Sequence, residues 1–503
     1  MVAKVKTFSF VGIDVVDVDA QVQISSGLPG ITIVGLPDKA VGESRERVRL
    51  AISSLGLAWP QKRITVNLAP ADLQKEGSHF DLAIALGILI EMGVLSQMHV
   101  ENFYALGELS LDGRITSVSG IISAAIGANQ RKCGIICPAT NGCEAAWAGD
   151  LPIIAADDLI SLINHCKGEQ YIARPENTRA LRDPIYPDLS DIKGQDIAKR
   201  ALEIAAAGAH NLLLIGPPGT GKSMLASRLN GILPPPNLQE ILEINMIHSI
   251  SGKLSDGNLV TSRPYRDPHH SCSMPAMVGG GSKAKPGEVS LATNGVLFLD
   301  ELAEFPRQVL DSLRQPLETS EVTISRVNSH ITYPANFQLV AAMNPCRCGY
   351  LGDELRECKK APICGEDYKN KISGPLLDRI DMVVEVPQID IFFGQQKQGE
   401  SSEVVKQRVC NARELQKARY EKEESMMDKQ KTNSKLSGGL LEKFTQLDDE
   451  CQKILKKYID KMHASMRGVT RVLRVARTIA DLEKSENILP HHLLEAISYR
   501  RRL

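Results

Sequence analysis

Of 503 residues, 43% are hydrophobic, 24% charged and 4% aromatic, a composition that excludes wholesale disorder and calls for aliphatic cores in about two to four domains. Lysine and arginine number 59 against 60 acidic residues. A net charge of −1 excludes a globally basic nucleic-acid coat, though not a local basic groove or pore.

The N-terminus, MVAKVKTFSFVGIDVVDV, has early lysines but no apolar run ending in a cleavage site. Residues 1–166 then mix short β-branched runs, ITIVG (31–35) and ITVNLAP (64–70), with the helical spacing of Asp38 to Leu55. Phe80 to Leu89 is apolar on nearly all sides and predicts a buried helix. Its extension to Leu95 carries Asp81 and Glu91, so no stretch reaches the roughly 18 uncharged residues of a membrane helix. YALGELSLDGRI predicts two strands joined by a turn at Asp112-Gly113. Pro175, Pro184 and Pro187 mark 167–190 as a linker.

From 191 to 391 apolar strands recur between helical segments, the pattern of a parallel α/β sheet: NLLLIG (211–216), GVLFLDE (295–301), FQLVAAMNP (337–345) and DMVVEVP (381–387). Residues 392–503 form a last region, helical from Ser401, with a Gly-Ser break at 431–439. Eleven cysteines, an odd number scattered along the chain, predict reduced thiols and a cytoplasmic location.

Gly216-Pro217-Pro218-Gly219-Thr220-Gly221-Lys222-Ser223 fits G-x-x-x-x-G-K-[ST], after an apolar strand and before a helix. Glycines turn backbone N–H groups around phosphates and the helix N-terminus favours anions. Lys222 is suited to the β- and γ-phosphates of ATP, and the Ser223 hydroxyl to Mg²⁺. Val296-Leu-Phe-Leu-Asp300-Glu301 supplies a second element. Asp300 is suited to Mg²⁺ through water and Glu301 to polarising an attacking water. Asn344, at a strand end, is either a turn residue or a group that orients that water. Spacing alone assigns Arg379 no more than an ion pair with Asp378 or Asp381.

GPPGTGKSMLA, GEVSLATNGVLFLDELAEF, AAMNPCRCGY and ISGPLLDRIDMVVEVP resemble the YifB/ComM-type, magnesium-chelatase-like AAA+ ATPases. So do GLPGITIVGLPDKAVGESRERVRLAI near the N-terminus and SMRGVTRVLRVARTIADLE near the C-terminus, so the resemblance spans nearly the whole chain in order. It implies an S5-like, Lon protease-like α+β domain at 1–166, an AAA+ P-loop core at 191–391 and a helical lid at 392–503. Asn344 falls on the sensor-1 position, Arg379 on the arginine finger, and Arg467 on the sensor-2 arginine, with Arg471 and Arg474 as alternates. An arginine acting in a neighbour's site implies a ring. Lon-type proteases use a serine and a lysine. Here His79 stands at the serine position, with Ser78 one residue off, and Ile122 at the lysine position, so the domain is expected to be non-proteolytic.

The implied activity is that of a homohexameric, ATP- and Mg²⁺-dependent DNA helicase. It would promote branch migration during recombination in natural transformation, on single-stranded and branched DNA, without a membrane. The alternatives are a motor subunit of a chelatase-like complex and a protein-remodelling ring. Helicases of this ring class need basic or polar loops on flexible backbone. SRPYRDPHHSCSMPAMVGGGSKAKPG (262–287) fits with Lys283 and Lys285, and ISRVNSHITYP with Arg326 and Asn328; the plain alternative is a solvated surface loop. His269 and His270, lacking a nearby third ligand, read as structural or hydrogen-bonding. Cys346, Cys348, Cys358 and Cys364 fall within 19 residues, which suits either tetrahedral Zn²⁺ or four free thiols.

Overall fold

Two long strands, β1 (Ala3–Val11) and β2 (Asp14–Ser25), turn on Gly12 in a left-handed conformation and pair antiparallel throughout. They sit inside a seven-stranded sheet that continues through β3 (Gly30–Val34), β4 (Arg63–Ala69), β5 (Phe103–Ala105), β6 (Gly134–Pro138) and β7 (Ile153–Ala156). Its order is β3-β4-β2-β1-β5-β6-β7. The computed structural model describes residues 2–71, 75–176, 185–254, 259–281, 284–326, 329–351, 359–388, 399–423 and 432–500. Alternate residues of the short strands feed two cores: Ala105, Ile136 and Ile154 one, Tyr104, Ile135, Cys137 and Ile153 the other. That is the period-2 signature of a sheet covered on both faces.

The helix α1 (Asp38–Ser54) and the buried α2 (Asp81–Glu91) belong to the first of these cores. Asp81, the charge that broke the apolar run, is buried and accepts from Ser44 Oγ at 2.7 Å and Arg47 Nε at 2.6 Å. Burial nevertheless pushes its pKa up, against the pull of those partners. The Asp-Gly turn is present, joining Glu108–Leu109 to Ile115–Thr116 with Gly113 at φ 86°. Tyr104 and Ala105 belong instead to β5 of the large sheet.

His79 is buried, with Nε2 2.9 Å from the Phe8 carbonyl and its ring edge-on to Phe10. Desolvation depresses its pKa to about 4, against the raising effect of that carbonyl. A histidine kept neutral in the fold but free to protonate near 6.5 when unfolded stabilises fully above 6.5 and loses that contribution as pH falls toward 4. The melting temperature of this unit is therefore expected to drop steeply between pH 6.5 and 4. His79→Gln should flatten that slope, as measured by thermal unfolding across pH.

The chain divides into two compact units, Met1–Arg182 with Ile241–Thr261, and Asp183–Glu240 with Ser262–Leu503. The inserted segment of the first unit carries most of the helix Leu238–Ser251, with Ile244 and Ile247 buried. Asn245 closes it by bonding both the N–H and the carbonyl of Val260 at 2.8 Å. Ser249 Oγ accepts from the Gly120 N–H at 2.9 Å, just before α3 (Ile121–Gln130), and donates to buried Glu144. Burial raises the Glu144 pKa, opposed by Ser249, Asn141 and the Ile122 N–H.

In the second unit, five parallel strands, β8 (Leu212–Ile215), β9 (Tyr265–Arg266), β10 (Val296–Leu299), β11 (Gln338–Met343) and β12 (Met382–Glu385), form a sheet of order β9-β10-β11-β8-β12. Leu212, Leu214, Phe298, Val340, Ala342 and Val384 join one core with α4 (Asp196–Gly208), α5 (Lys222–Ile232), α6 (Ser402–Tyr420), α7 (Met466–Leu482) and α8 (Pro490–Ser498). The result is a mixed α/β fold with a parallel-sheet core and a helical C-terminal region. No helix among the described residues is long and apolar enough to cross a membrane.

Candidate nucleotide site

Three neighbouring parallel strands end in the residues that the motifs single out. Ile215 ends β8 before Gly216, Leu299 ends β10 before Asp300, and Met343 ends β11 before Asn344. Because β10, β11 and β8 are adjacent and parallel, these groups emerge at one edge, the carboxyl edge where α/β sheets bind ligands.

Gly219 and Gly221 hold φ of 78° and 84°, and a Cβ added to either would meet nothing within 4 Å. The loop thus turns through left-handed geometry with bare backbone toward open space, a cradle fitted to phosphate. A Cβ at Gly216 would lie 2.2 Å from the Val386 carbonyl, so close packing against the chain after β12 requires glycine. Thr220 Oγ1 donates to Pro217 O at 3.0 Å and tightens the turn.

Lys222 opens α5 and is buried. Its Nζ donates to Gly216 O at 2.8 Å, Pro217 O at 2.9 Å and Asn344 Oδ1 at 3.1 Å. Desolvation lowers its pKa, against the raising influence of Asp300 and Glu301. Ser223 Oγ donates to Asp300 Oδ2 at 2.7 Å, and the Glu301 N–H donates to Asp300 Oδ1 at 2.9 Å. Hydroxyl and carboxylate oxygens so close together fit a hard divalent cation such as Mg²⁺. Glu301 sits at φ 51°, a left-handed conformation costing on the order of 1 kcal/mol, with its side chain half exposed. Its Oε2 lies 3.3 Å from His270 Nδ1.

Arg379 lies elsewhere. It precedes β12, whose first residue pairs with the first residue of β8, whereas the phosphate loop follows the last residue of β8. A four-residue strand separates the two positions, about 13 Å at roughly 3.3 Å per residue. Arg379 Nη1 donates to Pro375 O at 2.6 Å and Nη2 pairs with Glu318. Arg471, in α7, meets Asp378 at 3.6 Å on this same amino edge, and Arg474 Nε donates to Leu436 O at 2.6 Å. Arg467 is exposed one helical turn before Arg471. The structure therefore gathers Lys222, Ser223, Asp300, Glu301 and Asn344, and does not bring Arg379 or Arg471 to them within one chain.

Of the candidate DNA residues, Lys285 is exposed on a short strand pairing with Gly280. Lys283 and Asn328 lie outside the described residues, as does the Arg326 side chain; the arms of the hairpin that carries Arg326 and Asn328, Glu321–Arg326 and Ser329–Pro334, pair antiparallel.

The zinc expectation finds no support among the described residues. Cys346 Sγ and Cys348 Sγ stand 3.0 Å apart, whereas two thiolates on one tetrahedral zinc at ~2.3 Å stand about 3.7 Å apart. Cys346, Cys348 and Cys364 do not converge within 4.8 Å of one another, and Cys358 lies outside the described residues. Among the described residues, Glu483, His491 and His492 do converge at ligand distances. There, however, His492 Nδ1 accepts from the Leu489 N–H at 2.9 Å, so Nε2 carries the proton and donates to Glu483 at 3.0 Å, leaving no lone pair for a metal.

A glycine loop between a parallel strand and a helix, with a carboxylate at the end of a nearby strand, is the arrangement of P-loop proteins. The magnesium chelatase subunit ChlI family matches residues 188–392, a second ChlI family 20–141 and the ChlI C-terminal family 399–500. Competence protein ComM of Haemophilus influenzae is 44% identical over 493 residues, 96% of this chain and 94% of that protein. YifB of Escherichia coli is 44% identical over 99% of this chain and 96% of its own length, and YifB of Salmonella typhimurium 43% over 99% and 97%. The chain belongs to the YifB/ComM-type, magnesium-chelatase-like family.

Proposed function

We propose that the protein is a ring-forming AAA+ ATPase that moves branched DNA in the cytoplasm, promoting branch migration in competence-linked recombination. One observation carries the reading: the groups for binding and hydrolysing ATP share the carboxyl edge of the sheet, while Arg379 stands on the amino edge, about 13 Å away at roughly 3.3 Å per residue. Such a site is completed by a neighbour, and Arg379 is the arginine that completes it. Likeness to ComM supports the competence role.

The loop 216–221 holds the phosphates by backbone N–H groups. Lys222 exchanges its carbonyl partners for phosphate oxygens, and Asn344, bonded to it in this state, is released toward the attacking water. Ser223 and Asp300 would hold Mg²⁺, which would neutralise charge on the β- and γ-phosphates. Glu301 accepts from the attacking water and orients it. Arg467, exposed on the helical C-terminal region, takes the part of the sensor-2 arginine of the lid. The N-terminal unit is read as a non-proteolytic S5-like module; Ser78 donating to the Glu108 carboxylate and a buried Ile122 at the lysine position support that reading. Lys283 and Lys285 contact DNA backbone, with Arg326 and Asn328 on the second hairpin.

A synthetic four-strand junction tests this. The purified protein should resolve it only with hydrolysable ATP and Mg²⁺, and bind several sequences with similar, steeply salt-dependent affinity. Lys283→Ala with Lys285→Ala should weaken DNA-stimulated hydrolysis and spare the basal rate. Junctions left intact, with ATPase stimulated only by a protein or a chelatase subunit, would overturn the DNA reading.

A further inference from the structure

The Glu301 carboxylate, left half exposed by the left-handed turn at the end of β10, has no hydrogen-bond or ion-pair partner among the described residues other than His270. His270 itself is held from two sides. Its ring lies against His269 with centroids 4.0 Å apart, and Phe305 meets it edge-on at 6.4 Å. His269 is fixed in turn by Ser271, whose Oγ is 2.8 Å from its Nδ1. The loop that carries them leaves β9, which pairs with β10, and Arg266 anchors its start to Glu288 at 2.6 Å. A side chain so braced, four residues after a strand that neighbours the Glu301 strand, is placed to orient rather than to react.

We infer that His270 is a positioning residue for Glu301. Its Nδ1–H donates to Oε2, fixes the carboxylate torsion and leaves Oε1 to accept from the attacking water. The inference rests on the reading of Glu301 as the group that orients that water. Nothing in this role requires a change in the protonation of either partner. Its energetic signature is a loss in turnover without a loss in nucleotide binding, because His270 reaches the carboxylate and not the phosphate loop.

Steady-state ATP hydrolysis by the full chain decides it. His270→Ala should lower kcat about tenfold or more while KM for ATP, and binding of a fluorescent ATP analogue, stay within about twofold. His270→Asn, whose amide N–H occupies the place of Nδ1–H, should recover a substantial part of the loss. In a Glu301→Gln background, His270→Ala should cost nothing further, since the two act through one contact. A kcat for His270→Ala equal to or above wild type, a change in KM alone, an asparagine no better than alanine, or additive losses in the double variant would each overturn the assignment. Should the wild type itself turn over no ATP, the hydrolysis reading falls first and this one with it.

Discussion

Glu301→Gln should bind ATP with near wild-type affinity and hydrolyse it at least about 10²-fold more slowly, the lower range for loss of a positioned general base. The amide keeps the size of the carboxylate and its place after β10 but loses the charge proposed to polarise water. Binding should survive because the phosphate cradle is built from the loop backbone, Lys222 and the Ser223–Asp300 pair, none of which depends on the Glu301 side chain. Lys222→Ala is the contrasting variant. It removes the cation and three hydrogen bonds beneath the loop, so nucleotide binding itself should fail. Equilibrium binding beside single-turnover hydrolysis separates the two, and equal loss of binding in both would show that Glu301 supports the loop rather than the chemistry.

Arg379→Ala should likewise retain ATP and lose about 10³-fold or more in turnover, as removal of an arginine finger does elsewhere. The particular expectation is complementation. Lys222→Ala subunits have an intact Arg379 and no competent loop, whereas Arg379→Ala subunits have the reverse. Mixed together they should recover activity at interfaces where an intact loop meets an intact arginine. Rate against mixing ratio should pass through a maximum, and a strictly flat line would show that Arg379 acts within its own chain or not at all. Loss of the Glu318 ion pair is a small separate matter, since that partner is largely exposed.

What could be read from the sequence here is what depends on contiguous residues. The strand before Gly216, the glycines at 219 and 221, and the apolar run ending in Asp300 each specify local structure, and all stand where their patterns indicated. The Asp112-Gly113 turn is legible for the same reason. The opposite placement of Arg379 follows from strand order, which juxtaposes residues 212 and 382 and has no local signature. His270 reads from the sequence only as structural or hydrogen-bonding, because its partner Glu301 lies 31 residues on, across a strand pairing that no periodicity reports. The cysteine cluster stays open between zinc and thiols, because density along the chain does not by itself specify convergence in space. The membership of 241–261 was equally hidden, since buried Ile244 and Ile247 fit a helix against any apolar surface.

That interleaving of the units has a consequence for how the protein is made. On the ribosome the first 182 residues emerge without the helix that supplies Ser249 to Glu144, and the phosphate loop is synthesised before that helix arrives. At about 5–20 residues per second the N-terminal unit waits roughly 4–16 s for residue 261, holding an unfilled carboxylate pocket at Glu144 meanwhile. Neither unit is a contiguous stretch that could be shuffled between genes by a single cut. A deletion ending near residue 182 would leave 241–261, with its apolar Ile244 and Ile247, without the rest of its unit inside the remaining chain, so loss of the N-terminal region should register first as aggregation of what remains, whatever that region does in the finished protein.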